Sequence, residues 1–188
     1  MFNTIRGIKL LWAAGGLSLL ATGCAAGSPP VDAESVSAGE AIVMGRFRLI
    51  RNGDVVPLGD GIFANKATLV MHADGEPSSF DGAVGDGGEF QWSLAHGTYH
   101  IDEVGFMVHG EYFSPSADLS FVVGGEFDAV YVGTIIVETT LESGYYGLDG
   151  SVKAVSVEND CESDCATLAA HAGIAGDALD VELAHMHD

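Results

Sequence analysis

Basic residues are scarce in this chain of 188 residues. It contains 7 lysines and arginines against 27 aspartates and glutamates, so its formal net charge is −20. A surface this acidic repels polyanions, and the few basic residues form no cluster that could neutralise a phosphate backbone. The composition therefore predicts no nucleic-acid partner.

Sequence motifs of the common enzyme classes are also missing. The chain has no Gly-x-Ser-x-Gly, no His-Glu-x-x-His, no P-loop lysine motif and no glycine-rich fingerprint that opens a helix. We therefore expect no catalytic activity of its own and no cofactor, with a bound metal ion as the one open alternative.

Long apolar runs are absent as well. The run over residues 10–21 is too short for a membrane-spanning helix, which needs about 20 apolar residues. It follows Arg6 and Lys9 and is followed by small residues, an order typical of a secretory signal.

The end of this signal resembles the lipobox of bacterial lipoproteins. The residues are Leu20-Ala21-Thr22-Gly23-Cys24, with Ala21 where that motif usually has leucine. The resemblance implies that residues 1–23 are a signal peptide and that Cys24 becomes the acylated first residue of a membrane-anchored protein. Ala25 is not the aspartate that retains many lipoproteins at the inner membrane, which favours the outer membrane of a diderm bacterium. The alternative is an ordinary signal peptide that leaves Cys24 as a free thiol.

The chain after Cys24 divides by composition into three parts. Residues 24–40 are small and polar and contain Pro29-Pro30, which predicts a flexible tether. Residues 41–158 show strand patterns, and residues 159–188 become rich in alanine.

Alternation of apolar and polar residues predicts a β-domain over residues 41–158. Phe90, Trp92 and Leu94 point to one side of a strand, and Asn52-Gly53 is typical of a tight hairpin. Residues 129–140 include apolar side chains at both odd and even positions, which predicts a central strand covered on both faces. The fold class we expect is mainly β: an Ig-like or transthyretin-like antiparallel β-sandwich with a short helical C-terminal segment.

One stretch resembles a known family. Gly88, Phe90, Leu94, Gly97 and Tyr99 follow the Gly-x-Phe-x-x-x-Leu-x-x-Gly-x-Tyr spacing of carboxypeptidase-regulatory-like domains, which are transthyretin-like β-sandwiches. The resemblance implies the sandwich fold and an accessory, stabilising or binding role. It transfers no active site.

The C-terminal segment predicts two short helices. The first spans Cys165–Ala172 with Asp164 as its cap, and the second has Asp177 as its cap. The second would place three apolar side chains on one face: Leu179, Leu183 and Met186.

The other two cysteines, Cys161 and Cys165, are left as a pair if Cys24 carries lipid. In an oxidising compartment, this pair predicts a disulfide within one turn. The alternative is a copper(I) or zinc site built with nearby side chains. Its candidate ligands are Cys161, Cys165, His171, His185 and His187, with Met186 as a possible thioether.

A second possible metal site is the acidic, glycine-rich segment Gly75–Gly88, which we expect to be one long loop. The carboxylates that could chelate calcium there are Asp74, Glu76, Asp81, Asp86 and Glu89. The remaining histidines, His72, His96, His100 and His109, are expected to be separate surface groups, with His100 facing outward and a site shared among them as the alternative.

Taken together, these patterns predict a membrane-anchored lipoprotein of the cell envelope that acts as a non-catalytic binding or scaffolding module. Its partners would be the membrane, through the lipid, and an envelope protein or polysaccharide. The alternative function is metal handling by an envelope lipoprotein, with copper, zinc or calcium as the ion.

The lipid at Cys24 gives the first testable prediction. In a diderm bacterium, mass spectrometry of the purified protein should find acylated Cys24 at the N-terminus, and Cys24→Ser should move the protein from the membrane to the soluble fraction. A mature terminus without lipid, or a Cys24→Ser protein that still sediments with membranes, would contradict the prediction.

Overall fold

The computed structural model describes residues 36–59, 66–108, 111–125, 127–144, 147–175 and 178–186. In these residues the chain forms two β-sheets and one helix. The elements are β1 (Glu40–Arg51), β2 (Asp54–Val56), β3 (Lys66–Ala73), β4 (Phe80–Ala83), β5 (Glu89–Ala95), β6 (Gly97–Val108), β7 (Glu111–Phe113), β8 (Ser116–Val123), β9 (Ala129–Gly144), β10 (Gly147–Glu158), α1 (Cys161–His171), β11 (Leu179–Val181) and β12 (His185–Met186).

Sheet A is built around β1 and β9, which run parallel to each other. On the edge of β1 that faces away from β9, β5 pairs with the first part of the strand and β2 with its end. On the edge of β9 that faces away from β1, β11 pairs with the first part of the strand and β10 with the rest. The predicted Asn52-Gly53 hairpin joins β1 to β2, and both of its residues adopt positive φ (53° and 92°). An extra residue of β9 at Gly133, with φ of 101°, forms a bulge opposite β1.

Sheet B has the order β12-β8-β6-β3-β4, and β7 pairs with the far end of β6. All of its strand pairs are antiparallel. The register slips at Asp102, because β6 has one more residue than β3 there. The extra residue forms a β-bulge in β6.

The core lies between the two sheets and confirms the sandwich. The predicted inward side chains Phe90, Trp92, Leu94, Tyr99 and Ile101 are all buried in it. The rings of Phe90 and Trp92 stack with centroids 4.3 Å apart, and the indole Nε1–H of Trp92 donates to the carbonyl of Ala83 at 3.0 Å. The residues shared with the carboxypeptidase-regulatory-like spacing therefore serve packing.

The outer face of sheet A is buried by helix α1. Ile42, Met44 and Tyr131 from β1 and β9 pack there against Cys165 and Leu168 of the helix. This second layer confirms the prediction that the strand within residues 129–140 is covered on both faces. The two layers also explain why β9 has apolar side chains at both odd and even positions.

The C-terminal segment differs from its prediction in two ways. The helix begins at Cys161 after Asp160, so Asp164 lies in the first turn and is not the cap. The predicted second helix is wrong, because residues 179–181 and 185–186 pair as strands with β9 and β8. The edges of β9 and β8 carry backbone groups that need hydrogen-bond partners. Pairing with these edges stabilises the segment more than a short, weakly amphipathic helix would.

The segment Gly75–Gly88 also differs from prediction. It is not one loop, because residues 80–83 form β4 and pair with β3 at the edge of sheet B. Gly82 explains why this glycine-rich stretch can do so: its Cα lies against Met71 and Trp92, where a side chain would clash.

The buried indole gives the second prediction. Trp92→Ala should lower the free energy of unfolding by about 3–5 kcal/mol, because truncation of a buried aromatic leaves a cavity. Urea denaturation measures this value, and Val55→Ala, at a side chain that is 63% exposed, is the control. A loss below about 1 kcal/mol for Trp92→Ala would contradict the described core.

Candidate functional site

The two sheets differ in what lies on their outer faces. Helix α1 covers the two central strands of sheet A, β1 and β9, on their outer face, whereas no helix or strand of the described residues lies over the outer face of sheet B. The candidate site is therefore the outer face of sheet B, to which the polar residues of β3, β6 and β8 point.

A row of four polar side chains crosses this face at right angles to the strands. His72 of β3 pairs with His100 of β6, His100 pairs with Ser120 of β8, and Ser120 pairs with His185 of β12. We call these four residues the histidine row. With strands about 4.8 Å apart, the row is about 14 Å long.

The members of the histidine row contact one another. The imidazole rings of His72 and His100 stack with centroids 4.9 Å apart and planes 16° from parallel. At the other end, the Ser120 hydroxyl and His185 Nε2 lie 3.2 Å apart. The histidines are thus brought together by strand register, and the expectation that they are separate surface groups is wrong for His72 and His100.

Asp102 orients His72. The Nδ1 atom of His72 lies 2.8 Å from Oδ2 of Asp102, and both side chains are partly exposed (31% and 41%). Asp102 is the extra residue in β6, so the bulge places its carboxylate on the outer face beside the neighbouring strand. A carboxylate at Nδ1 fixes the ring orientation and favours the tautomer with the proton on that nitrogen.

An exposed aromatic ring lies on the same face, farther along β6. Tyr112 of β7 is 61% exposed, and its hydroxyl occupies the space where a side chain at Gly105 would be. Glycine at position 105 is required for this close approach. Nearby, the Ser114 hydroxyl donates to the carboxylate of Glu103, the residue after the bulge.

The first turn of α1 carries a disulfide, and ion pairs attach the start of the helix to sheet A. The predicted Cys161–Cys165 disulfide is present at the start of α1, with Cα atoms 4.6 Å apart. Arg46 Nε lies 3.0 Å from Asp164 of the helix, and Arg48 contacts Asp160 at 3.2 Å and Glu158 at 3.8 Å. These contacts hold α1 on the sheet.

Tyr131 lies beneath this helix. Burial raises the pKa of its phenol, and although a hydrogen bond with Thr134 lowers it, the Asp164 and Asp160 carboxylates raise it further. Tyr131 is therefore a neutral core residue, and its hydroxyl is not presented to a ligand.

The predicted C-terminal copper or zinc ligands are not gathered in the structure. Cys161 and Cys165 are bonded to each other and so offer no thiolates. His171 is exposed on α1, above sheet A, whereas His185 belongs to sheet B, and His187 lies outside the described residues.

The five carboxylates proposed for calcium are also distributed over several elements. Asp81 lies on β4 and Glu89 begins β5, while Asp74, Glu76 and Asp86 lie in the turns before and between these strands. Across the whole described part of the chain, no three histidine, cysteine or acidic side chains converge as a metal site would require.

Cys24 and the predicted signal peptide, residues 1–23, lie outside the described residues. The one helix in the described part, α1, is too short and too polar to cross a membrane.

A cleft of about 620 Å³ lies at the end of the sandwich where the chain enters β1. Its lining combines the acidic residues Glu40 and Asp128 with His96 and apolar groups such as Ile42 and Ile174. Glu40 is already engaged, because its carboxylate accepts a 2.7 Å hydrogen bond from Ser93.

Comparison with known proteins identifies no family. No protein-family model matches the sequence, and no curated protein matches it significantly. Among solved structures, two DUF3823 family proteins are similar. The one from Bacteroides ovatus shows 16% identity and a TM-score of 0.35 over 64% of this chain and 77% of that one. The one from Parabacteroides merdae shows 14% identity and a TM-score of 0.30 over 64% and 60%.

The disulfide gives the third prediction. Reduction should lower the stability of the protein by about 2 kcal/mol, because the loop that the bond closes is short. A thermal melt should show this as a decrease of about 4–8 °C in Tm on addition of reductant. The double variant Cys161→Ala/Cys165→Ala should melt at the lower temperature with or without reductant. A wild-type Tm that does not respond to reductant would mean that the bond does not stabilise α1.

Proposed function

We propose that this protein is a lipid-anchored, non-catalytic binding module of the cell envelope and that its ligand-binding surface is the outer face of sheet B. The observation that carries the proposal is the asymmetry of the sandwich. Helix α1 covers the outer face of sheet A over β1 and β9, whereas no described helix or strand covers the outer face of sheet B, which presents three histidines of the row, two carboxylates and Tyr112.

The anchoring part of the proposal rests on the sequence. A diacylated Cys24 would hold the protein in the outer membrane, and residues 24–40 would separate the domain from the lipid surface. The spacing of Gly88, Phe90, Leu94 and Tyr99 supports the same role, since carboxypeptidase-regulatory-like domains are mostly accessory or binding modules.

The chemistry of the face favours a neutral polysaccharide as the partner. A net charge of −20 disfavours anionic polymers. Imidazole, hydroxyl and carboxylate groups exchange hydrogen bonds with sugar hydroxyls, and the exposed ring of Tyr112 offers a flat apolar surface about 15 Å along β6 from His100. An envelope protein is the other class of partner, and the experiment below distinguishes the two.

The fourth prediction tests this surface. Full-length protein should bind neutral polysaccharides in preference to anionic ones, and Tyr112→Ala should weaken binding about ten-fold, which corresponds to about 1.4 kcal/mol. Calorimetric titration or co-sedimentation with insoluble polysaccharide measures the affinity. Val55→Ala, an exposed apolar side chain on sheet A, is the matched control and should bind like wild type.

Three results would overturn the proposal. Equal affinities for Tyr112→Ala and wild type would place the ligand elsewhere, and a preference for anionic polymers would contradict the charge argument. Capture of an envelope protein through the same face, with no affinity for polysaccharide, would replace the partner class.

A further inference from the structure

We propose that His72 and His100 form a two-histidine binding site for a divalent transition metal ion, with Asp102 as the residue that positions His72. This inference goes beyond the proposed function and does not depend on it. It rests on three observations: strand register, the stacked rings and the bulged carboxylate.

Strand register brings two imidazoles together on a rigid support. His72 and His100 are directly paired residues on adjacent strands of sheet B, and His100 is also paired with Ser120 on its other side, so the ladder fixes their Cα positions relative to each other. Sites built on strands are held more precisely than sites on loops. The rings project from the same face and already lie 4.9 Å apart.

The two rings lie within reach of one ion. Two nitrogens bound to one zinc ion at about 2.0–2.1 Å in tetrahedral geometry lie about 3.3 Å apart. The ring centroids lie 4.9 Å apart with near-parallel planes, so both rings must rotate about their side-chain torsions to direct one nitrogen each at the ion. Both side chains are partly exposed, so an ion can enter from solvent.

The contact between Asp102 and His72 distinguishes this pair from two surface histidines that merely lie side by side. Histidines that bind metals usually donate the N–H of the other ring nitrogen to a carboxylate or carbonyl, which fixes the tautomer and increases the basicity of the coordinating nitrogen. His72 has that arrangement: Nδ1 lies 2.8 Å from the Asp102 carboxylate, and this leaves Nε2 as the coordinating nitrogen. The bulge in β6 exists at the residue that makes this contact.

The ligand set defines the class of ion. Two imidazoles suit zinc, nickel and copper(II), and they do not suit calcium or magnesium, which prefer oxygen ligands. Asp102 is engaged at Nδ1 of His72, and no group of three ligating side chains is found among the described residues, so water completes the proposed coordination. A site with open positions can also accept an external ligand.

The test uses the full-length, untagged protein after removal of metal with EDTA. Titration with Zn²⁺, Ni²⁺ and Cu²⁺, followed by calorimetry and equilibrium dialysis, should show one ion per chain. His72→Gln and His100→Gln should each weaken binding at least ten-fold, and Asp102→Asn should weaken it about 10–100-fold, the usual effect of removing such a positioning carboxylate. His171→Gln, an exposed histidine above the other sheet, and Cys24→Ser are controls that should bind like wild type.

A second measurement on the unmodified protein removes any ambiguity from variants that fold poorly. In a long-range ¹H–¹⁵N spectrum of the imidazole groups, added Zn²⁺ should shift the resonances of His72 and His100 and leave those of His171 unchanged. Binding that survives in both His72→Gln and His100→Gln would overturn the proposal. So would binding lost in His171→Gln, or the absence of any stoichiometric binding by the wild type. Since none of these results involves polysaccharide, the proposed function stands or fails separately.

Discussion

The pairing of β1 with β9 imposes the constraint on which the rest of this structure depends. These two strands run parallel at the centre of sheet A, and the first half of each is apolar on both faces, so a second sheet on one side cannot bury them fully. Helix α1 supplies the missing layer. The arrangement of the remaining elements follows from the need to keep that short helix in place, since a helix of this length is marginal in isolation.

The few basic residues are used for this purpose. All three arginines after the signal segment lie on β1, and two of them, Arg46 and Arg48, pair with acidic residues around the start of α1. Their side chains point outward, at the parity opposite to Phe47 and Leu49. In a chain with this excess of acid, these pairs also offset repulsion among Glu158, Asp160 and Asp164, which lie close together. Because α1 covers the centre of sheet A, the uncovered centre of a sheet lies on sheet B, where the polar side chains of β3 and β6 reach solvent.

Much of the fold could be predicted because its signals are local. Alternation around Phe90, Trp92 and Leu94 identified the buried face of a strand, and Asn52-Gly53 identified a hairpin. Residues 129–140 have apolar side chains on both faces, which identified a strand covered on both sides. The C-terminal strands could not be predicted in this way, because Leu179–Val181 and His185–Met186 are determined by the free edges that they complete. Their local pattern fits a helix equally well.

The candidate site could be predicted only in part. The parity of Met71 and Tyr99 indicates that His72 and His100 point away from the core, and the sequence provides this signal. That they are partners depends on the register between β3 and β6, which lie about 30 residues apart and are offset by the bulge at Asp102. No local pattern reports such a register. Similarly, Gly105 has no predicted role until Tyr112 is seen to occupy the space beside it.

The central position of β1 has a mechanical consequence. The segment that leads to Cys24 enters the domain at this strand, and β1 is hydrogen-bonded along both edges, to β5 and β2 on one side and to β9 on the other. If lipid holds one end of the protein and a ligand on sheet B holds the other, tension pulls β1 along its own axis. Many hydrogen bonds then resist in parallel, instead of opening one after another as they would at an edge strand. A tether that precedes β1 would thus be attached at a strand that is well placed to bear load.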